Sequence, residues 1–87
     1  MAIIKKKILP QFFEAILSGK KKYELRLNDF EVQEGDTLVF EEYNSSRMPT
    51  GRVIEKRVAY IGKFKIDELY WPKEEIEEKG LQIISLE

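Results

Sequence analysis

The sequence predicts an α+β fold, mostly β, with strands running mostly antiparallel, one clear flanking helix and a short helical segment near the C-terminus. Three observations predict it. Apolar residues at helical spacing are concentrated in one early stretch, Pro10 to Ser18. Runs rich in β-branched and aromatic residues, above all Thr37 to Tyr43, recur along the chain. Clusters of Gly, Pro, Asn, Asp and Ser separate these runs at short intervals, as turns between strands require. With 87 residues there is room for one domain, spanning 1–87, and for no second core.

Taken in order, Ile3 to Leu9 reads as a first strand, and Lys5-Lys6-Lys7 in its middle marks it as an edge or partly exposed one. Pro10 suits the first helical position, Phe12, Phe13, Ile16 and Leu17 recur at helical spacing, and Gly19 supplies a left-handed stop. The aromatic pair is expected in the core. Tyr23, Leu25 and Leu27 imply a further strand by alternation. Residues 28–36, rich in turn chemistry, form a loop before the strand Thr37 to Tyr43. Asn44 to Gly51 is an exposed connection, and a long strand pattern runs from Arg52 to Phe64, ended or bulged by Gly62. Ile66, Leu69 and Tyr70 suggest a helical turn. Pro72 opens a second short helix, which Lys79-Gly80 closes, and Leu81 to Leu86 gives a final strand.

The densest chemistry lies in the octapeptide from Gly19 to Arg26, where charges of both signs gather at the passage from helix to strand. On the implied strand, Tyr23, Leu25 and Leu27 point to the core, while Lys22, Glu24 and Arg26 share the opposite face and Lys21 sits at its rim. Such a set offers donors to a phosphate and an acceptor to a sugar hydroxyl or base amino group. The bland alternative is a solvated strand face on which Glu24 pairs with Arg26, a contact worth about 0.2 to 1 kcal/mol.

Gly19, Lys21, Glu24 and Arg26 reproduce the G-x-K-x-x-E-x-R pattern of the ASCH superfamily, which resembles the PUA domain of RNA-modifying proteins. The likeness continues through Ile8-Leu9-Pro10, Phe12-Phe13-Glu14, Gly35-Asp36-Thr37-Leu38, Glu41-Glu42-Tyr43 and Thr50-Gly51-Arg52. It covers residues 3 to about 62 well and is closest to a prokaryotic branch of uncharacterised function. The resemblance implies a PUA-like antiparallel β-barrel with the Pro10 to Ser18 helix packed against it. It also implies a cleft lined by Lys21, Lys22, Glu24 and Arg26, with Arg52 as a weaker contributor. One bacterial branch hydrolyses the acetyl amide of a modified cytidine, with a lysine matching Lys21 and a threonine nucleophile matching Glu24. Here the lysine is present and the hydroxyl is not, and Arg26 stands two positions from Glu24, where it is expected to pair with it.

Composition narrows the remaining chemistry. The chain has neither cysteine nor histidine, so disulfides, thiolate metal sites and imidazole bases are all absent. No metal site or cofactor is expected. Glu41 and Glu42, as strand neighbours, should face opposite ways, and Gly19-Lys20-Lys21 lacks the spacing and hydroxyl of a Walker loop. No apolar run is long enough to span a bilayer and no secretory signal is recognisable, so the expected location is the cytoplasm, away from the membrane.

The net charge of −1 conceals segregation along the chain: residues 1–26 carry seven basic side chains against two acidic ones, and residues 27–46 carry six acidic and none basic. Residues 47–65 reverse the sign again, with six basic against Glu55 alone. The basic segments make a positive face if they meet in space, or are neutralised if acidic strands lie beside them. Tyr23, Tyr43 and Tyr60 are expected mostly in the core, whereas Trp71 beside Pro72 is a candidate for lining a cleft. The sequence therefore favours a module that binds RNA or a nucleotide-like ligand over the alternative, a small amidohydrolase acting on a modified nucleoside or RNA. In that alternative Lys21 and Glu24 are the candidate catalytic residues.

Overall fold

A computed structural model describes residues 1–86; Glu87, the last residue of the expected 1–87 domain, lies outside the described residues. The order of elements is β1 (Ile3–Ile8), α1 (Pro10–Leu17), β2 (Thr37–Tyr43), β3 (Pro49–Arg57), a 3-10 turn (Ile66–Glu68) and α2 (Lys73–Lys79). The three strands form one open sheet in the order β1-β2-β3. β1 pairs parallel to β2, with Ile3 opposite Thr37 and Ile8 opposite Glu42, and β3 returns antiparallel to β2.

Alternation and register put Ile4, Lys6 and Ile8 on the same sheet face as Leu38, Phe40, Glu42 and Ile54. Helix α1 lies against that face, and the core is Ile8, Phe13, Ile16 and Phe40, with Leu38 and Ile54 packed against it. Pro10 occupies the first turn of α1, as expected, because its missing N–H would have had no intrahelical partner there. Gly19 follows the helix with φ +82°, a conformation a side chain resists, and the chain then doubles back so that Lys21 N–H donates to Ala15 O at 2.9 Å.

The expected barrel is not what the chain forms. Closing a sheet on itself needs more paired strands than three, and two segments expected to supply them are in no ladder. Residues 20–27 hold no helix or strand: Tyr23, Leu25 and Leu27, expected to face the core, are 38%, 63% and 80% exposed. Their backbone is committed elsewhere, Lys21 N–H to the helix and Lys22 N–H to Ser85 Oγ at 3.3 Å. Residues 81–86 form no strand either. The strands are not mostly antiparallel: one of the two pairings is parallel, and α1 lies in the crossover that parallel pairing demands.

Smaller differences follow from the same openness. β3 starts earlier than expected, at Pro49, and ends at Arg57. Of the aromatic pair in α1, Phe13 is 2% exposed and Phe12 46%, because the core takes only one stripe of so short a helix. Tyr60, expected in the core, is exposed, and Trp71 packs edge-on against Tyr70 with ring centroids 6.3 Å apart. Among the described residues no helix is long and apolar enough to cross a membrane.

Candidate functional site

The motif segment leaves α1 through Gly19 and is tied to the helix by the Lys21 backbone, so the Lys21 side chain is aimed before any ligand arrives. Its ammonium donates to Glu24 Oε1 at 2.7 Å and to Tyr23 O at 3.0 Å. Arg26 Nε donates to the other carboxylate oxygen at 2.6 Å. Arg26 Nη2 reaches past the motif to Lys7 O on β1 at 2.6 Å, which anchors the segment to the sheet. Lys21, Glu24 and Arg26 are therefore brought together, with the Lys21 and Glu24 side chains only 12% and 15% exposed. Lys22 is exposed beside them.

Two charges of one sign bracket a single opposite charge, so the trio carries a net positive charge with unspent donors. Among the described residues Arg26 uses two of its five N–H groups and Lys21 two of its three. The Lys21 ammonium also lies 4.8 Å from the centre of the Tyr23 ring and 5.7 Å from that of Phe12, within cation–π range of both. An open groove of about 580 Å³ lies beside it, lined by Phe12, Lys20, Lys21, Tyr23, Ile83 and Ser85. Glu24 and Arg26 stand behind Lys21 and do not line this groove.

Arg52 lies in a different constellation. Its Nε and Nη2 grip Glu42 at 2.9 and 2.7 Å, and Nη2 also donates to Glu14 Oε1 at 2.6 Å. Thr50 Oγ1 donates to Glu42 at 2.5 Å, and the guanidinium lies over the Phe13 ring at 4.5 Å. Among the described residues Arg52 shares no hydrogen bond or ion pair with Lys21, Glu24 or Arg26. The hydrogen bonds from Arg52, then Thr50, hold the Glu42 carboxyl down at about 2 against burial, and Glu42 in turn raises Arg52.

The sequence reading missed this cluster, although a signal existed: alternation from Leu38 through Phe40 places Glu42 on the core face. It also missed Asp36, a buried carboxylate that accepts from Ala2 N–H and Gln33 N–H, each at 2.9 Å, which keeps its carboxyl below the usual range. Among the described residues no group of three or more carboxylates could hold a metal ion.

Residues 3–71 match a family described as a domain of unknown function (DUF3850). The chain is also 36% identical over 55 residues to the "Uncharacterized 12.9 kDa protein in GpA 3'region" of Escherichia phage P2, a stretch covering 63% of this chain and 50% of that protein. The chain thus spans about half the length of the curated relative it matches. Neither description names an activity, a ligand or the ASCH superfamily.

Proposed function

The chain belongs to the domain-of-unknown-function family DUF3850, and we propose that it binds RNA or a nucleotide-like anion through Lys21, Glu24 and Arg26 without cleaving it. The observation that carries this reading is the clamp on Glu24: one carboxylate holds two cations in fixed geometry, and among the described residues both keep donors to spare. A pre-aimed guanidinium and ammonium suit a phosphate, and exposed Lys20 and Lys22 add attraction at longer range. The likeness of Gly19, Lys21, Glu24 and Arg26 to the ASCH pattern supports the same ligand class.

Binding is favoured over hydrolysis because no hydroxyl or thiol nucleophile stands at position 24 and each Glu24 oxygen already accepts from a cation. The test is titration of the purified protein with labelled RNA at several salt concentrations, with product analysis on the same mixtures. The reading expects affinity that falls with salt, is reduced in Lys21→Ala and Arg26→Ala, and is accompanied by no product. Binding insensitive to salt, or unchanged in both variants, defeats it; product that depends on Lys21 transfers the site to the hydrolase alternative.

A further inference from the structure

We propose that the groove beside the motif seats one unpaired nucleotide, its base stacked on Phe12 or Tyr23 and its phosphate held by Lys20 and Lys21, so that the ligand is a free nucleotide or a single strand and not a duplex. This rests on the anion-binding reading above and narrows it.

Phe12 and Tyr23 are the starting point. Phe13 fills the core stripe of α1, whereas its neighbour Phe12 is 46% exposed at the groove wall and contributes nothing to the buried cluster. Tyr23 lies on the same wall, and the Lys21 ammonium approaches both rings, so the rings and the cation form one continuous surface. An aromatic face next to a fixed cation matches a ligand that presents a flat π-system next to an anion. A nucleotide does so only when its base is unstacked. In a duplex the π-faces are covered by neighbouring pairs, leaving edges and phosphates outside.

Charge and size agree with this occupant. Lys20 and Lys21 line the groove, and no Asp or Glu does among the described residues. The groove, of about 580 Å³, is shallow and open, so an occupant of one nucleotide's size lies along its wall without being enclosed. Ser85 Oγ, which accepts from Lys22 N–H, still has its own proton to donate, so a base edge in the groove finds a polar partner.

The probes are the four ribonucleoside monophosphates, ribose 5-phosphate, a single-stranded RNA octamer and the same octamer as a duplex. The nucleotides and the single strand are expected to bind, the duplex and ribose 5-phosphate about tenfold or more weakly. Comparing monophosphates with the octamer distinguishes a free nucleotide from a residue of a strand. Either Phe12→Ala or Tyr23→Leu, whichever removes the ring that carries the base, should cost about tenfold for base-bearing probes and nothing for ribose 5-phosphate, and no loss in either variant counts against the inference. Because Tyr23→Leu can disturb folding, proton spectra of the unmodified protein supply an independent readout: base protons shift upfield when stacked on a ring. A duplex bound as tightly as the single strand, ribose 5-phosphate bound as tightly as a nucleotide, or base protons unmoved on binding overturns the inference while salt-dependent anion binding stands. Absence of salt-sensitive binding by every probe overturns both.

Discussion

Arg52 and Glu42 meet fork to fork across the β2–β3 hairpin, two nitrogens on two oxygens at 2.9 and 2.7 Å. They are ten positions apart in the chain, and antiparallel return sets them side by side. Glu14 of α1 takes the same guanidinium, so one side chain ties the helix to both strands. Glu42 is 4% exposed, and this is what makes its pairing obligatory.

Acid should unfold the protein partly through this carboxylate. Its folded value, about 2, lies below its ordinary 4.5, so the unfolded chain binds the proton more readily. The stabilisation is complete above about 4.5 and is lost as pH falls towards about 2. Thermal melts between pH 7 and pH 2.5 should show a steep decline in that window, less steep in Glu42→Gln. Some slope should persist, because Asp36 is shifted in the same direction.

Removing one partner of the pair should cost more than removing both. Arg52→Ala leaves a buried carboxylate with Thr50 alone, whereas Glu42→Leu combined with Arg52→Met leaves apolar groups of similar size. Comparing the melting temperatures of the single and double variants checks this, and a double variant less stable than Arg52→Ala contradicts it.

Adjacent phenylalanines should behave oppositely. Phe13→Ala removes a central member of a very small core and should cost about 3 to 5 kcal/mol, comparable to the whole stability of many domains of this size. Phe12→Ala, at a half-exposed position, should cost less than about 1 kcal/mol. Urea denaturation measures both.

Gly19→Ala forces a side chain into φ +82° and should destabilise by about 1 kcal/mol. Because Gly19 sets the direction in which Lys21 leaves the helix, binding of single-stranded RNA should weaken by more than the loss of folded protein explains. Titration well below the melting temperature separates the two effects.

Charge variants of the motif should separate phosphate contact from positioning. Arg26→Ala and Lys21→Ala should each flatten the salt slope for a single strand by about 0.7, one phosphate contact's worth. Glu24→Gln should instead weaken binding of all nucleotides alike by loosening Lys21, and it should lower the melting temperature because Lys21 and Arg26 lose the charge that holds them together.

Local pattern made much of the fold legible. β2 begins and ends where its β-branched and aromatic run does, α1 starts at its proline and stops before its glycine, and α2 lies between Pro72 and Gly80 as its flanks indicate. What failed was pairing. Tyr23, Leu25 and Leu27 alternate as a strand should, yet alternation describes a side-chain pattern and cannot say whether a partner edge is within reach; here none is taken. Leu81 to Leu86 failed in the same way, and with both segments unpaired the barrel could not close. In the candidate site, Lys21, Glu24 and Arg26 were legible because their contacts span two or three residues. Arg52 was misassigned to their neighbourhood because its true partners, Glu42 and Glu14, depend on hairpin register and helix docking.

The bond from Arg26 to the Lys7 carbonyl has a kinetic consequence. Lys7 belongs to β1, which pairs with β2 alone among the described residues, and that parallel pairing must close a crossover running from Leu9 to Asp36 that contains both α1 and the motif. The β2–β3 hairpin needs only a short turn. Loop closure makes the non-local pairing the slower event, so the hairpin should form first and the cationic trio should acquire its anchor near the end of folding. In a refolding experiment, recovery of anion binding should therefore lag behind recovery of β-structure, and slowing β1 docking by an Ile8→Ala substitution should widen the lag.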